Sequence, residues 1–290
     1  MSVVPDSLAL GRGRPGSRGR RRVSLGSIPL VVLLAIAAVL TIAPFLVMVT
    51  LAVSRSAAAS IPYQLPTRFT LANFQEAIQA SGFLRWTENS AIYAVVSVVI
   101  VLLTASMAGY AFARKRFWGR DALLWSMLAT LMVPAQATLI PLFVLVSRLG
   151  GVDTYWGLIV PTLANAQAVF LLRQFIRDLP QDYFDAAKVD GASEFRIFFG
   201  IVIPLCRPVL ATLGVFVFLW HWNDFLWPLV VGQSASMRVL TVGLASIETQ
   251  SVTVPQVMAA ATITMLPCLV VFVLLQRYLV STMAMSGVKG

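Results

Sequence analysis

"YFDAAKVDGASEFRIFFGIVIPLCRP", residues 183–208, interrupts a chain that is otherwise strongly apolar. Eight charged residues fall between Arg177 and Arg196: these two, Asp178, Asp182, Asp185, Lys188, Asp190 and Glu194. At ~2.5–3.5 kcal/mol for each charge at a span centre, burying them in lipid would cost on the order of 20 kcal/mol. The stretch therefore lies outside the hydrocarbon. Its residues also predict local order. Asp182 after Pro180 is expected to cap a short helix, with Asp185 three residues on as a capping-box acid. Gly191 suits a helix end at positive φ. Ser193 is expected to cap a second short helix whose Phe195, Phe198 and Phe199 form an apolar side. Such a helix–Gly–helix element serves either as a docking surface for another protein or as an interfacial helix lying on lipid.

The flanking sequence fixes what the element is attached to. The 290 residues are 58% hydrophobic and 12% charged, with a mean hydropathy of +0.83, well outside the range of soluble domains. Ser27–Val53 carries no charge in 27 residues and Asn89–Ala113 none in 25, each longer than the ~20 residues that cross a bilayer. Neither run alternates as barrel strands do. The fold class expected is all-α, a polytopic membrane protein with six transmembrane helices at about 28–53, 89–112, 122–146, 157–176, 203–230 and 258–281. Prolines 134, 141, 161, 204, 208, 228 and 267 fall within them, where neighbouring helices can re-satisfy freed carbonyls.

Charge sets the orientation. One side would hold the N-terminus and the segments after spans two, four and six, and it collects 17 of the 22 Lys and Arg residues. The positive-inside bias puts both termini, and residues 183–196, in the cytoplasm. Residues 1–27, with "GRGRPGSRGRRR", read as a disordered basic tail touching anionic lipid and not as a nucleic-acid binder. Residues 54–88 form an external segment. Cys206 and Cys268 lie within spans and read as small buried residues.

The opening stretch resembles the EAA loop of permease subunits in bacterial binding-protein-dependent ABC importers. The family pattern is Glu-Ala-Ala, three residues, Gly, then about a dozen residues to an Ile-x-x-Pro-like ending. Ala186, Ala187, Asp190, Gly191, Ala192, Ser193, Pro204 and Pro208 fall on it in register, and Asp185 replaces the usual Glu. "MVPAQATLIPLFVLVSRLGGVDTYWGLIVPTL" (132–163), "FLWHWNDFLWPLVV" (218–231) and "MSGVKG" (285–290) are similar to the MalG-like carbohydrate-uptake branch. The resemblance covers about residues 60–290, with the permease core at 89–290 and the EAA loop at 177–203. It implies that Asp185, Ala186, Ala187, Asp190, Gly191, Ala192, Ser193 and Glu194 couple to a cytoplasmic ATPase. It also implies a second related permease, two ATPase subunits carrying ATP and Mg, and an external substrate-binding protein.

The residues themselves exclude nucleotide binding in the usual cradle: the only lysines, Lys115, Lys188 and Lys289, are never followed by Ser or Thr. No cofactor is expected on this chain. The rival class is a polytopic membrane hydrolase using His221, the single histidine. For the solute path, "LWHWNDFLWPL" offers Trp220, Trp222, Asn223 and Asp224, because a carboxylate inside a span marks a functional site. The alternatives are an interfacial aromatic belt, and an Asp224 that pairs with a basic group of the partner permease. Pro134, Gln136 and Asn165 are further lining candidates.

Overall fold

The computed structural model describes residues 28–55, 68–79, 82–247 and 253–286. The basic tail 1–27 and the last residues, 287–290, lie outside them. Two compact units result, Met1–Leu46 and Val47–Gly290. Most of the first unit that is described is helix α1 (Ile28–Ala52), an uncharged helix that contains Pro44 and runs on into the second unit. Among the described residues there is helix and a single antiparallel bridge, Ser54 to Phe69, but no strand.

In the second unit, α2 (Ala72–Gln79) is tied to the end of α1 by buried Asn73, whose Nδ2 donates to the carbonyls of Ala52 and Ser54 at 2.8 Å each. Helix α3 (Phe83–Arg114) is the axis of the bundle. It contributes to all three apolar clusters: through Trp86 and Ala94, through Tyr93, and through Val101, Ala105 and Phe112. Its buried positions include Asn89, Ser90, Ser97, Ser106 and Gly109. Small and weakly polar side chains are what close helix contacts within lipid require, because apolar burial there gives no hydrophobic gain. Gly109 marks a close crossing. A Cβ there would stand 3.0 Å from the Arg173 nitrogen and from Leu172 Cβ. Gly109→Leu is therefore expected to cost about 1–3 kcal/mol through overpacking. An unchanged unfolding midpoint in detergent would contradict that crossing.

Three helices are long and apolar enough to cross a membrane: Pro29–Ala52, Phe83–Arg114 and Val254–Gln276. The other expected spans are bent pairs, so six spans arise only when each pair is counted as one. The third span is α4 (Arg120–Ala129) with its 3-10 extension to Met132, then α5 (Ala135–Arg148), bent by 104°. Val133 is extended, as the residue before a proline is driven to be, and Pro134 starts the new direction. The fourth comprises α6 (Tyr155–Ile159), the 3-10 turn Val160–Thr162, and α7 (Ala166–Arg177), bent by 47°. Asn165 caps α7, its Oδ1 accepting from the Ala168 N–H at 2.9 Å.

The fifth span departs most from the expected 203–230. The helical path starts at α9 (Glu194–Ile197), passes a π turn, Phe198–Val202, and α10 (Ile203–Leu205), then bends by 76° into α11 (Arg207–Trp222). Pro204 and Pro208 flank that bend, and neither has an N–H to continue the ladder. Helix α11 stops at Trp222, and α12 (Leu226–Val231) begins only after Phe225. Asn223 ends it by donating its side-chain amide to the Leu219 carbonyl at 2.8 Å, a local bond that competes with helix continuation. Helices α13 (Leu240–Ile247) and α14 (Val254–Ser286) complete the chain, with α8 (Asp182–Val189) lying between α7 and α9. The second span starts at Phe83, six residues before the expected Asn89. The charges that delayed the boundary, Arg85 and Glu88, pair with each other at 2.9 Å on that first turn.

Candidate functional site

The α8–Gly191–α9 element has the form its sequence predicts, with two local changes. Gly191 has φ +69° and an open surround, with nothing within 4 Å of a Cβ placed there. Ser193 caps α9, its Oγ accepting from the Arg196 N–H at 3.4 Å. Asp182 is not the cap of α8: it is already helical, and Gln181 occupies the cap position. Gln181 donates from Nε2 to Asp185 Oδ1 at 3.0 Å, so the acid at 185 braces the first turn through an amide. The three phenylalanines do not form one packed side. Phe198 is buried, whereas Phe195 and Phe199 are exposed.

One side of the element is anchored and the other is open. Phe184, Ala187 and Ile197 are buried in the apolar cluster around α3, α7 and α11. Ala187, expected on the outward contact face, is 9% exposed and packs inward. Asp185, Ala186, Lys188, Asp190, Gly191 and Ser193 lie on the open side, with Ala192 half-buried. Val189 is 88% exposed at the tip. The anchoring comes from α3. Arg114 lies with its guanidinium carbon 4.2 Å from the Phe184 ring centroid, and Nη1 donates to Gln181 Oε1 at 2.7 Å. Its Nη2 donates to the carbonyls of Ile176 at 2.8 Å and Leu179 at 2.5 Å. Tyr110 Oη donates to Glu194 Oε2 at 2.8 Å, and Lys115 pairs with the other Glu194 oxygen. In the sequence these α3 residues counted only as charge and apolar bulk. Nothing local distinguishes them, because their partners lie more than sixty residues on.

The four residues proposed for the solute path separate in space. Trp222 is 3% exposed, stacks on Phe218 and donates Nε1–H to the Thr264 carbonyl at 3.0 Å, so it joins α11 to α14. Asn223 is exposed and committed to the Leu219 carbonyl. Asp224 accepts the Tyr93 hydroxyl at 2.9 Å, and its backbone carbonyl accepts Thr241 Oγ1–H at 2.6 Å. Asp224 thus sits at the start of α12 and holds the break between two helices. Of the four, Trp220 alone lines a cavity, at 62% exposure. It lines a largely apolar cavity of about 510 Å3 together with Asn165, Gln167, Phe170 and Phe216. Asn165 was expected there. Pro134 and Gln136 are not among the lining residues.

His221, the residue on which a hydrolase would depend, is buried and occupied on both ring nitrogens. Nδ1 lies 2.8 Å from the Val217 carbonyl and Nε2 3.2 Å from Thr162 Oγ1. Tyr93 packs edge-on against it at 4.9 Å. Cys206 is buried and Cys268 half-buried, and both are free thiols.

Known proteins converge on one description. The chain is 38% identical over 227 residues to the arabinooligosaccharides transport system permease protein AraQ of Halalkalibacterium halodurans, covering 78% of this chain and 81% of that one. It is 37% identical over 195 residues to the sn-glycerol-3-phosphate transport system permease protein UgpE of Pectobacterium atrosepticum, covering 66% and 69%. A chain in the crystal structure of a bacterial ABC transporter involved in the import of the acidic polysaccharide alginate shares the fold. The TM-score is 0.78 at 24% identity, with 88% of this chain and 98% of that chain covered. All are transport proteins, which leaves the hydrolase reading without support. Residues 102–285 match the family described as binding-protein-dependent transport system inner membrane component, and the chain belongs to that family.

Proposed function

We propose that this chain is one permease subunit of an ATP-driven importer for a sugar or sugar-like solute, and that the α8–α9 element passes ATPase movement into the helix bundle. The relatives supply the solute class: arabinooligosaccharide and glycerol-3-phosphate transport systems carry related permeases. The coupling role rests on a single observation. The element is rigidly held from behind by Phe184, Ala187 and Ile197, while Ala186, Val189 and Gly191 stand uncovered in front. A short helix with an exposed valine at its tip and a left-handed glycine beside it fits a shallow cleft on another protein better than it fits water. The distribution of Lys and Arg supports a cytoplasmic position for this element and both termini, with the spans in a bacterial inner membrane. ATP and Mg then belong to two ATPase subunits, a second permease completes the pore, and a binding protein delivers the solute from outside.

With the element in the cytoplasm, Lys115 and then the Tyr110 hydroxyl hold the Glu194 carboxyl below its ordinary carboxylate range. The group stays ionised at cytoplasmic pH, and this contact weakens only as pH falls through that lowered value. The solute path is assigned to the cavity at Trp220. An indole face beside the amides of Asn165 and Gln167 offers a ring to sugar C–H groups and hydrogen bonds to hydroxyls. Trp220→Ala is expected to remove about 0.5–1.5 kcal/mol of ring contact, a roughly two- to tenfold loss of uptake at limiting solute. Unaltered uptake would take Trp220 out of the path.

The whole reading is tested by reconstituting the chain with its partner permease, ATPases and binding protein in vesicles. ATP-dependent accumulation of a labelled arabinooligosaccharide, α-glucoside or glycerol phosphate is the expected result. Absence of uptake for every solute that the binding protein retains, or His221-dependent turnover of a peptide or lipid, would refute it.

A further inference from the structure

We infer that the cytoplasmic end of α3 is the part of the bundle that receives the movement of the α8–α9 element, the lever, and that Arg114 and Tyr110 are the positioning residues that make it so. The inference rests on the coupling role proposed above and adds the route by which motion leaves the α8–α9 element. Two routes exist. The covalent one runs from α9 through the π turn Phe198–Val202 and across the 76° bend into α11. A π turn and a sharp bend between prolines form a compliant joint, since the regular i→i−4 ladder is interrupted there. The other route is non-covalent and short. Arg114 bonds the carbonyl of Ile176 in the last turn of α7 and that of Leu179 just past it, and at the same time holds Gln181 and covers Phe184 at the start of α8. One turn earlier on the same face of α3, Tyr110 holds Glu194 at the start of α9.

The two ends of the lever are therefore gripped by a single helix end. The Tyr110 ring also lies between the lever's halves, 6.3 Å from the Phe184 centroid and 5.8 Å from that of Phe198. Behind the grip, Gly109 lets the α7 backbone come against α3, so that α3, α7 and α8 have little freedom to slide. The chemistry requires arginine at 114. A planar guanidinium reaches two carbonyls, an amide oxygen and a ring face at once, while a lysine ammonium on the same stem cannot span them. A displacement of α8 must then move α3, which reaches the opposite end of the bundle at Phe83.

The test uses the complete transporter in vesicles, with Arg114→Gln, Arg114→Lys and Tyr110→Phe. The readout is solute moved per ATP hydrolysed. Arg114→Gln is expected to lower that ratio by about fivefold or more. Arg114→Lys should recover part of it, and Tyr110→Phe should lower it less than Arg114→Gln. A second measurement leaves the grip intact: spin labels at Arg116→Cys and Asp182→Cys in a Cys206→Ala, Cys268→Ala background. The inference expects one narrow distance shared by the ATP-free and ATP-bound states. A distance that changes between states overturns it, as does a wild-type ratio in Arg114→Gln. Ala186→Arg serves as the companion variant for the coupling role itself. If it still docks the ATPases and transports normally, the coupling role fails. If it blocks docking while Arg114→Gln keeps the wild-type ratio, only the grip fails.

Discussion

Gly191→Val is expected to leave the permease inserted and assembled yet cut ATP-driven uptake by about tenfold or more, with ATP hydrolysis no longer matched to transport. The reason is backbone strain. Gly191 sits at φ +69°, between the last turn of α8 and the Ser193 cap of α9. An L-residue in that region costs about 1–2 kcal/mol, and a β-branched one suffers most, while 1.4 kcal/mol is already a factor of ten in a conformational equilibrium. A Cβ meets no atom of this chain, so the protein's own packing is not what fails. Gly191→Asn separates strain from bulk, because asparagine tolerates the left-handed region. If strain dominates, Asn retains most of the uptake. If the partner's surface comes within contact distance, both variants lose it. Normal uptake and normal coupling in Gly191→Val would remove the coupling role from this element.

Asp224→Ala should be the most damaging single change in the membrane-embedded part. It strips the buried Tyr93 hydroxyl of its acceptor, a loss of about 1–3 kcal/mol. Thermal unfolding in detergent reads that loss, and Asp224→Asn should recover most of it. The decisive comparison is a double variant. Removing both partners of a buried hydrogen bond costs less than orphaning one, so Asp224→Ala with Tyr93→Phe should be more stable than Asp224→Ala alone. An Asp224→Ala protein with wild-type stability but no transport would instead return this carboxylate to the solute path.

The fate of Asp224 shows why part of the site could not be read from the sequence. A carboxylate in an apolar stretch is a sound signal of function, but its partner Tyr93 is 131 residues away and belongs to another helix. Trp222 likewise looks like its neighbour Trp220 in the sequence, yet one is sealed against α14 and the other faces the cavity. Arg114 drew no notice beyond its charge, because its role depends on the carbonyls of Ile176 and Leu179, at the end of α7 and just past it, arriving beside it. By contrast, Gly191 and Ser193 were legible at once, since their signals act within four residues.

From the amino-acid order alone came the helical character of the chain, the apolar runs, the expectation that residues 183–196 stay out of lipid, and the turn at Gly191. Each follows from costs that a residue carries with it: charge in hydrocarbon, φ sign, a missing N–H. Tertiary structure alone decided which apolar runs bend, where α11 stops, which aromatic meets the cavity, and which helix end holds the α8–α9 element. Those outcomes depend on pairings between distant segments, and a pairing energy has no representation until the chain has brought both partners together.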